Sequence, residues 1–433
     1  MGVIILLVLI VNEMALAAYS IMTKSMQQKV RNMIRIIAFV GFVLFSALSV
    51  IDWSFRYYTI AGVLFPLAII GAVGLLKKKE DKRTYKPVRV VMKTIGMTLL
   101  FIFVALPSII FPQYEAINPT GNYQVKTATC TYIDINRIET YTNTGENRKL
   151  NVRLWYPENT ERSYPLIVFS HGGLGLKTSN ETLFNELASH GYVVGSIDHT
   201  FHSLFTTDEN GQTTYLDKGY MKELTTENAK LNKQQSFEFY QKWMQVRTDD
   251  LNFVIDYILG QAMNDTSDEV YNLVDTTKIG VIGHSLGGSA ALGIGRIRKD
   301  VSAVIALESP FMVDIIGVNN DEFVFTDEEY SVPLLNVYSD SSWPYLGEWS
   351  QYAQNYHLLS NTNPIAFNVH ISGVGHFTLT DLALTSPFFT RMFNGQKSMV
   401  STESTLKLIN KLSLEFFDCF LKGEGKFSSD GTY

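Results

Sequence analysis

Four apolar segments fill the first 112 residues of this chain, at positions 3–22, 34–51, 58–76 and 95–111. Each is close to the ~20 residues an α-helix needs to cross a bilayer. In hydrocarbon a spanning segment must satisfy its own backbone hydrogen bonds, which a single stretch does only as a helix. Residues 1–114 are therefore expected to form a four-helix transmembrane domain. The first span lacks a basic leader and is followed by further spans, so it is read as a retained helix rather than a secretory signal. Pro66 and Pro107 fall in spans three and four, where neighbouring helices tolerate a kink. Asn12 and Glu13 stand mid-span in the first segment. An ionisable group there is costly and marks either a functional pathway or a bundle-facing contact; no repeat or further buried charge supports a pathway.

Basic residues next to spans are retained on the cytoplasmic side. Lys24, Lys29, Arg31 and Arg35 lie between spans one and two or at the edge of the second. Lys77, Lys78, Lys79, Lys82, Arg83, Lys86, Arg89 and Lys93 lie between spans three and four. The connection 52–56 carries only Arg56, so it belongs outside, with the N-terminus and everything after Tyr114. The expectation is a multi-pass cell-membrane protein with an extracytoplasmic C-terminal domain.

Charge divides the chain at the same place. Up to Tyr114 there are 13 Lys and Arg against 4 Asp and Glu, leaving 23 against 38 of the totals 36 and 42, or +9 before and −15 after. An acidic domain with scattered basic residues is a poor partner for nucleic acid. The two cysteines, Cys130 and Cys419, exclude a disulfide scaffold and a cysteine-based four-ligand zinc site. They are expected to be separate thiols.

After the turn-forming NPTGN at 118–122, residues 115–433 are expected to form one α/β domain. Alternation in ATCTYIDI and LNVRLWYP suggests early strands, and the apolar run YPLIVFS suggests a strand buried on both faces. Further strands are expected at 192–197, 278–282, 301–307, 334–338 and 366–371. Helices are expected at 183–190, 237–260 and 289–298. Strands alternating with helices argue for a mostly parallel sheet covered on both faces. The polar stretch 201–236 reads as an insertion, either a lid or a surface excursion.

Within this frame Gly283-His284-Ser285-Leu286-Gly287 fits the G-x-S-x-G nucleophile elbow, with strand KIGVI before it and helix SAALGIGRI after it. Glycines flank the serine because the turn is crowded. The backbone N–H of Leu286, at the start of the helix, is free to meet a developing oxyanion. A serine needs a base, and the base needs an orienting acid. Of the histidines after Ser285, His376 lies in a Gly-rich loop (SGVGHF) following the last strand of the alternating series. His370 lies within that strand, and His357 in a polar stretch. Two acids compete: Glu308 at the end of the strand after the nucleophile's helix, and Asp340 one strand later. Ser170-His171-Gly172-Gly173 supplies a second oxyanion donor, the N–H of Gly173. Asp198, His199 and His202 in IDHTFH are ligand types without enough partners for a metal, so neither metal nor cofactor is expected.

From about Pro119 onwards the chain resembles the platelet-activating-factor acetylhydrolase family of α/β-hydrolases, including the plasma-type enzymes and their bacterial relatives. The likeness is carried in order by PTGNYQV, LNVRLWYP, YPLIVFSHGG, LASHGYVVGSIDHTFHS, VRTDDLNFVIDYIL, KIGVIGHSLGG, VIALESP and GHF. The resemblance implies an α/β-hydrolase fold and cofactor-free hydrolysis of esters, typically short or oxidised acyl groups of phospholipids. It supports Ser285, His376, Gly173 and Leu286 in the roles above. It favours Glu308 over Asp340 as the acid, although the family normally carries Asp at that place. The four membrane helices have no counterpart in the plasma enzymes. Phe311, Phe388, Phe389 and Phe393 are candidates for meeting lipid or for packing. The expected function is a membrane-anchored serine esterase acting on an ester or phospholipid substrate. The alternatives are an esterase or acyltransferase on a cell-wall or polymer ester, and a silent receptor or scaffold. Nothing in the sequence sets the oligomeric state.

Overall fold

The computed structural model describes residues 1–77, 85–158, 162–264, 268–360, 364–395 and 398–433. Lys78, Lys79, Lys82 and Arg83, part of the orientation reading, lie outside the described residues. The chain divides into two compact units. One is Met1–Glu115 with Leu384–Thr390, the other Ala116–Ala383 with Arg391–Tyr433.

The first unit is built on α1 (Gly2–Met22), α2 (Gln28–Ala47), α3 (Phe55–Leu76) and α4 (Pro87–Ile110), each long and apolar enough to cross a membrane. Leu7, Val11, Phe65 and Phe103 are exposed on these helices. Helices apolar on their outward as well as inward faces suit a hydrocarbon solvent. Pro66 and Pro107 lie inside α3 and α4. Phe389, counted with this unit, sets its ring 5.7 Å from that of Phe111.

Helix α2 departs from the hydropathy expectation at both ends. It stops at Ala47, and Ser49 takes a φ of 55° that carries the chain out of helical conformation. Apolar residues continue beyond that point because Ile51 packs into the unit's core without being helical. The helix also begins early, at Gln28, which places Arg31 inside it rather than in a loop. There Arg31 Nη1 meets Glu13 Oε2 at 2.6 Å, with both side chains buried. Glu13 is thus a bundle-facing residue with a charge partner. Removing either member would leave an uncompensated buried charge.

In the second unit the strands in chain order are β1 (Val125–Ile138), β2 (Asn147–Pro157), β3 (Tyr164–Ser170), β4 (Val193–Asp198), the hairpin β5 (Phe205–Thr207) and β6 (Thr213–Tyr215), β7 (Val274–His284), β8 (Val301–Leu307), the hairpin β9 (Ile315–Asn319) and β10 (Glu322–Phe325), β11 (Leu334–Ser339), β12 (Ala366–Ile371) and β13 (Gly431–Thr432). The main sheet runs β1-β2-β4-β3-β7-β8-β11-β12-β13. Strand β2 is antiparallel to both neighbours, and from β4 onwards every pairing is parallel. Every residue of β3 and of β4 is buried, as expected of parallel strands covered on both faces. The helices that matter for the site are α5 (Glu181–Ser189), α6 (Lys218–Thr226), α7 (Lys233–Met263), α8 (Glu269–Asn272) and α9 (Leu286–Ile297). A further helix, Thr402–Phe417, was not expected. Its buried Leu406, Ile409, Leu412 and Phe416 follow helical spacing.

This strand order decides where chemistry collects. Strands β3, β7, β8, β11 and β12 are consecutive and parallel, so their C-terminal ends lie along one edge. Open parallel sheets place their ligand crevices outside that edge.

Candidate active site

The residues singled out in the sequence follow those strand ends: His171 to Gly173 after β3, Ser285 after β7, Glu308 after β8, Asp340 after β11 and His376 in the loop after β12. Ser285 is the N-cap of α9 with φ 55° and ψ −126°, a strained conformation for a residue with a side chain. Its N–H donates to Leu307 O at 2.8 Å, anchoring the turn to β8. Side chains at two neighbouring positions would destroy the turn. A Cβ on Gly283 would collide with the Gly287 carbonyl, and one on Gly287 with the backbone of Ser170 and His171. Gly287 therefore lets the start of α9 lie directly against the loop after β3. A Cβ built on Gly172 would stand 3.3 Å from Ser285 Cβ. Among the described residues, the N–H groups of Gly173 and Leu286 have no acceptor, as a pair of oxyanion donors requires.

His376 reaches the same place. Its ring centroid lies 4.5 Å from that of His284, whose Nε2 donates to His376 O at 3.1 Å. Its backbone N–H donates to Ser341 Oγ at 2.9 Å. Burial pushes its imidazole down to about 4, so it is neutral, the form a base needs. Among the described residues, neither ring nitrogen is hydrogen-bonded to Ser285 or Glu308.

The two acids differ in what their oxygens do. Glu308 is buried and sits at φ 53°. One oxygen accepts from the Ser339 N–H, while Oε1 has no partner among the described residues. Burial raises its carboxyl, against the pull of polar groups on Ser342 and Ser339. Asp340 has both oxygens engaged: Oδ1 with His370 Nε2 at 2.8 Å and Oδ2 with the Gly373 N–H at 2.9 Å. His370 is stacked on Trp343 with centroids 4.8 Å apart. Asp340 thus braces the loop that carries His376.

The candidate ligand types of IDHTFH turn to different partners. Asp198 Oδ2 accepts from Lys177 Nζ and Thr206 Oγ1, His199 lies between Ser170 and Asp250, and His202 Nε2 pairs with the Tyr141 hydroxyl. No group of three possible metal ligands is assembled among the described residues. Phe311 is buried, while Phe388 and Phe393 are exposed.

Sequence reasoning missed a buried polar network behind the β3 loop. Because a carboxylate only accepts, His199 Nδ1 donates to Asp250 Oδ2 at 2.9 Å, and His199 Nε2 accepts from the Ser170 hydroxyl at 2.8 Å. Asp250 also receives two bonds of 2.6 Å from Arg148. Arg247, one turn earlier on α7, is fully buried and donates to His171 O at 2.5 Å and Gly172 O at 3.2 Å. The available signal was Arg247 and Asp250 interleaved with Trp243, Met244, Leu251 and Val254 on the inward face of one helix.

This network carries a pH dependence. Burial holds His171, His202 and His284 well below the ordinary 6.5, and takes His199 down to about 4. The folded chain keeps these imidazoles neutral where the unfolded chain takes up protons. Stability therefore falls as pH drops through 6.5 towards 4, by about 1.4 kcal/mol per pH unit for each excess proton. Asp381, raised to about 7 by burial, and Glu308 and Asp314, also raised by burial, act in the opposite sense, but the lowered imidazoles, His376 among them, outnumber them. The Tm of detergent-solubilised protein is expected to drop between pH 7.5 and pH 5; a level or rising Tm contradicts this.

A mostly parallel sheet whose strands end, along one edge, in a Gly-rich loop, a strained Gly-x-Ser-x-Gly turn and a histidine loop defines an α/β-hydrolase. A ferulic acid esterase from Streptomyces cinnamoneus has the same fold, with a TM-score of 0.55 at 20% identity, covering 72% of this chain and 94% of that one. The profile of the family platelet-activating factor acetylhydrolase, isoform II, matches residues 112–429, and the chain belongs to that family. It is 31% identical to a platelet-activating factor acetylhydrolase of Canis lupus familiaris over 31% of this chain and 33% of that protein. The Cavia porcellus protein of the same name is 22% identical over 61% of this chain and 59% of its own. A Thermobifida alba cutinase is 28% identical over 36% of this chain and 38% of its own. The chain spans between about a third and three-fifths of the length of these relatives.

Proposed function

We propose that the protein is a membrane-anchored serine esterase that hydrolyses short or modified acyl esters of phospholipids. The observation that carries this reading is Ser285 held at φ 55° beside two N–H groups that have no acceptor among the described residues, with the neutral His376 against the same turn. In the proposed cycle Ser285 Oγ attacks the acyl carbonyl while His376 takes its proton. Gly173 and Leu286 N–H groups hold the tetrahedral oxyanion, each typically worth about 3 kcal/mol. His376 then protonates the departing alcohol, and a water deprotonated by the same imidazole releases the acid. Glu308 orients the imidazole. Serine–histidine hydrogen bonds that are long without substrate commonly tighten once it binds. The four apolar helices support membrane anchoring, and the basic residues at 24–35 and 77–93 support an extracytoplasmic active site. Family membership supports the phospholipid substrate.

One experiment tests substrate and orientation together. Intact cells expressing the protein are given phospholipids of graded sn-2 chain length that do not cross the membrane. Release of short acyl groups, falling as the chain lengthens, is expected. Activity appearing only after permeabilisation overturns the orientation. Hydrolysis of p-nitrophenyl acetate or a polyester without any phospholipid turnover overturns the lipid substrate and favours the activity that the cutinase relatives' name describes.

A further inference from the structure

We infer that Arg247 is a positioning residue that aims and polarises the Gly173 N–H as an oxyanion donor, an assignment that rests on the ester-hydrolase reading above. Its guanidinium is fully buried and forms no ion pair among the described residues. Its Nη1 donates to His171 O at 2.5 Å, and its Nη2 to Gly172 O at 3.2 Å and to the Tyr220 hydroxyl at 3.3 Å. A buried, unpaired cation is costly, so a site that keeps one gains something a neutral side chain would not supply.

Peptide geometry shows what is gained. Gly172 C=O and Gly173 N–H belong to one planar trans peptide, in which the two bonds point in opposite directions. Holding the carbonyl from the α7 side therefore turns the N–H away from α7. Gly172 O is held by three donors: Arg247 Nη2 from α7 and, from its own loop, His171 Nδ1 at 2.6 Å and the Gly175 N–H at 3.2 Å. Gly172 also lies against Ser285, and the Gly173 N–H has no acceptor among the described residues. A positive charge on the carbonyl also draws electron density through the amide, which strengthens the N–H as a donor.

The inserted segment completes the clamp. Tyr220 of α6 receives the bond from Arg247 and donates its own hydroxyl hydrogen to Gly173 O at 3.2 Å. Its ring is stacked on His202 with centroids 3.7 Å apart. Leu224, one turn further on, stands 3.6 Å from the place a Gly173 Cβ would occupy. Residues 201–236 thus reach the donor loop itself, and the Arg247–Tyr220 pair ties that segment to the oxyanion hole.

The test compares wild type, Arg247→Lys, Arg247→Ala and Tyr220→Phe as full-length protein in detergent. Steady-state hydrolysis of p-nitrophenyl acetate is measured alongside inhibition by a trifluoromethyl ketone, whose serine adduct places an oxyanion in the hole. Deleting an oxyanion donor outright costs about 10²- to 10³-fold in kcat. Misaiming one in Arg247→Ala is expected to lower kcat by roughly 10- to 100-fold with KM unchanged. Trifluoromethyl ketone affinity should fall in parallel, and added guanidinium should restore kcat saturably. A folded Arg247→Ala with kcat within about twofold of wild type overturns the assignment. So does a loss of kcat with unchanged ketone affinity, because damage unrelated to the oxyanion would do that. Should the Arg247 variants fail to fold, Tyr220→Phe decides: a severalfold loss in kcat at constant KM supports the clamp, and unchanged kcat overturns it. Turnover by wild type in the same series tests the ester-hydrolase reading separately.

Discussion

Ser285→Ala is expected to lower kcat for p-nitrophenyl acetate by about 10⁴- to 10⁶-fold and to abolish labelling by a fluorophosphonate probe. The size follows from geometry. Ser285 places its hydroxyl at the strained turn beside the Gly173 and Leu286 N–H groups, and in the proposed mechanism removing it leaves those groups with no oxyanion to stabilise. The substitution should leave the fold intact. The turn is held by Gly283, Gly287 and the backbone bond from Ser285 N–H to Leu307 O rather than by the hydroxyl. A folded variant that still takes the label, or keeps kcat within tenfold of wild type, rules out Ser285 as the nucleophile. A wild-type protein that is neither labelled nor active instead supports a silent receptor or scaffold.

Glu308→Ala should cost about 10³- to 10⁴-fold in kcat, whereas Asp340→Ala should cost less than about tenfold. The contrast rests on spare valence. Among the described residues Glu308 presents a buried oxygen without a partner, the state a carboxylate is in before it accepts from an imidazole N–H. Asp340 spends both oxygens on His370 and Gly373, so its removal should loosen the histidine loop and lower Tm without removing the orienting charge. The two variants measured together, for kcat and for Tm, decide the matter. A large kcat loss confined to Asp340→Ala transfers the acid to β11 and makes Glu308 a buried structural group.

What could be read from the chain alone shares one character. Four long apolar helices, a buried strand before Ser285 and a helix after it are statements about runs of residues, and their causes are local. Bilayer thickness sets the length of a span, and backbone crowding sets the glycines of a turn. The glycine loop at 171–173 and the histidine loop at 373–376 were legible for the same reason. Helix ends were less so. Hydropathy carried the second span to residue 51, but the helix ends at Ala47, because apolar residues are also needed where a non-helical segment packs.

Partners were not legible. Glu13 could be recognised as a costly charge, but that Arg31 answers it depended on α2 beginning a turn and a half before its apolar run. Asp340 and Glu308 look equivalent as acids at strand ends, and only the fold shows one saturated and the other with an oxygen free. Arg247 and Asp250 read as ordinary charges on an amphipathic helix, yet both are buried, one gripping the donor loop 75 residues earlier and the other joining Arg148 to His199. By itself the sequence determined the class of each segment and the strand-turn-helix form of the turn at Ser285, since those depend on neighbours along the chain. Tertiary structure alone decided which charge meets which, because a buried polar group is stabilised only by partners that packing brings within about 3 Å, and the order of parallel strands brings them from anywhere in the chain.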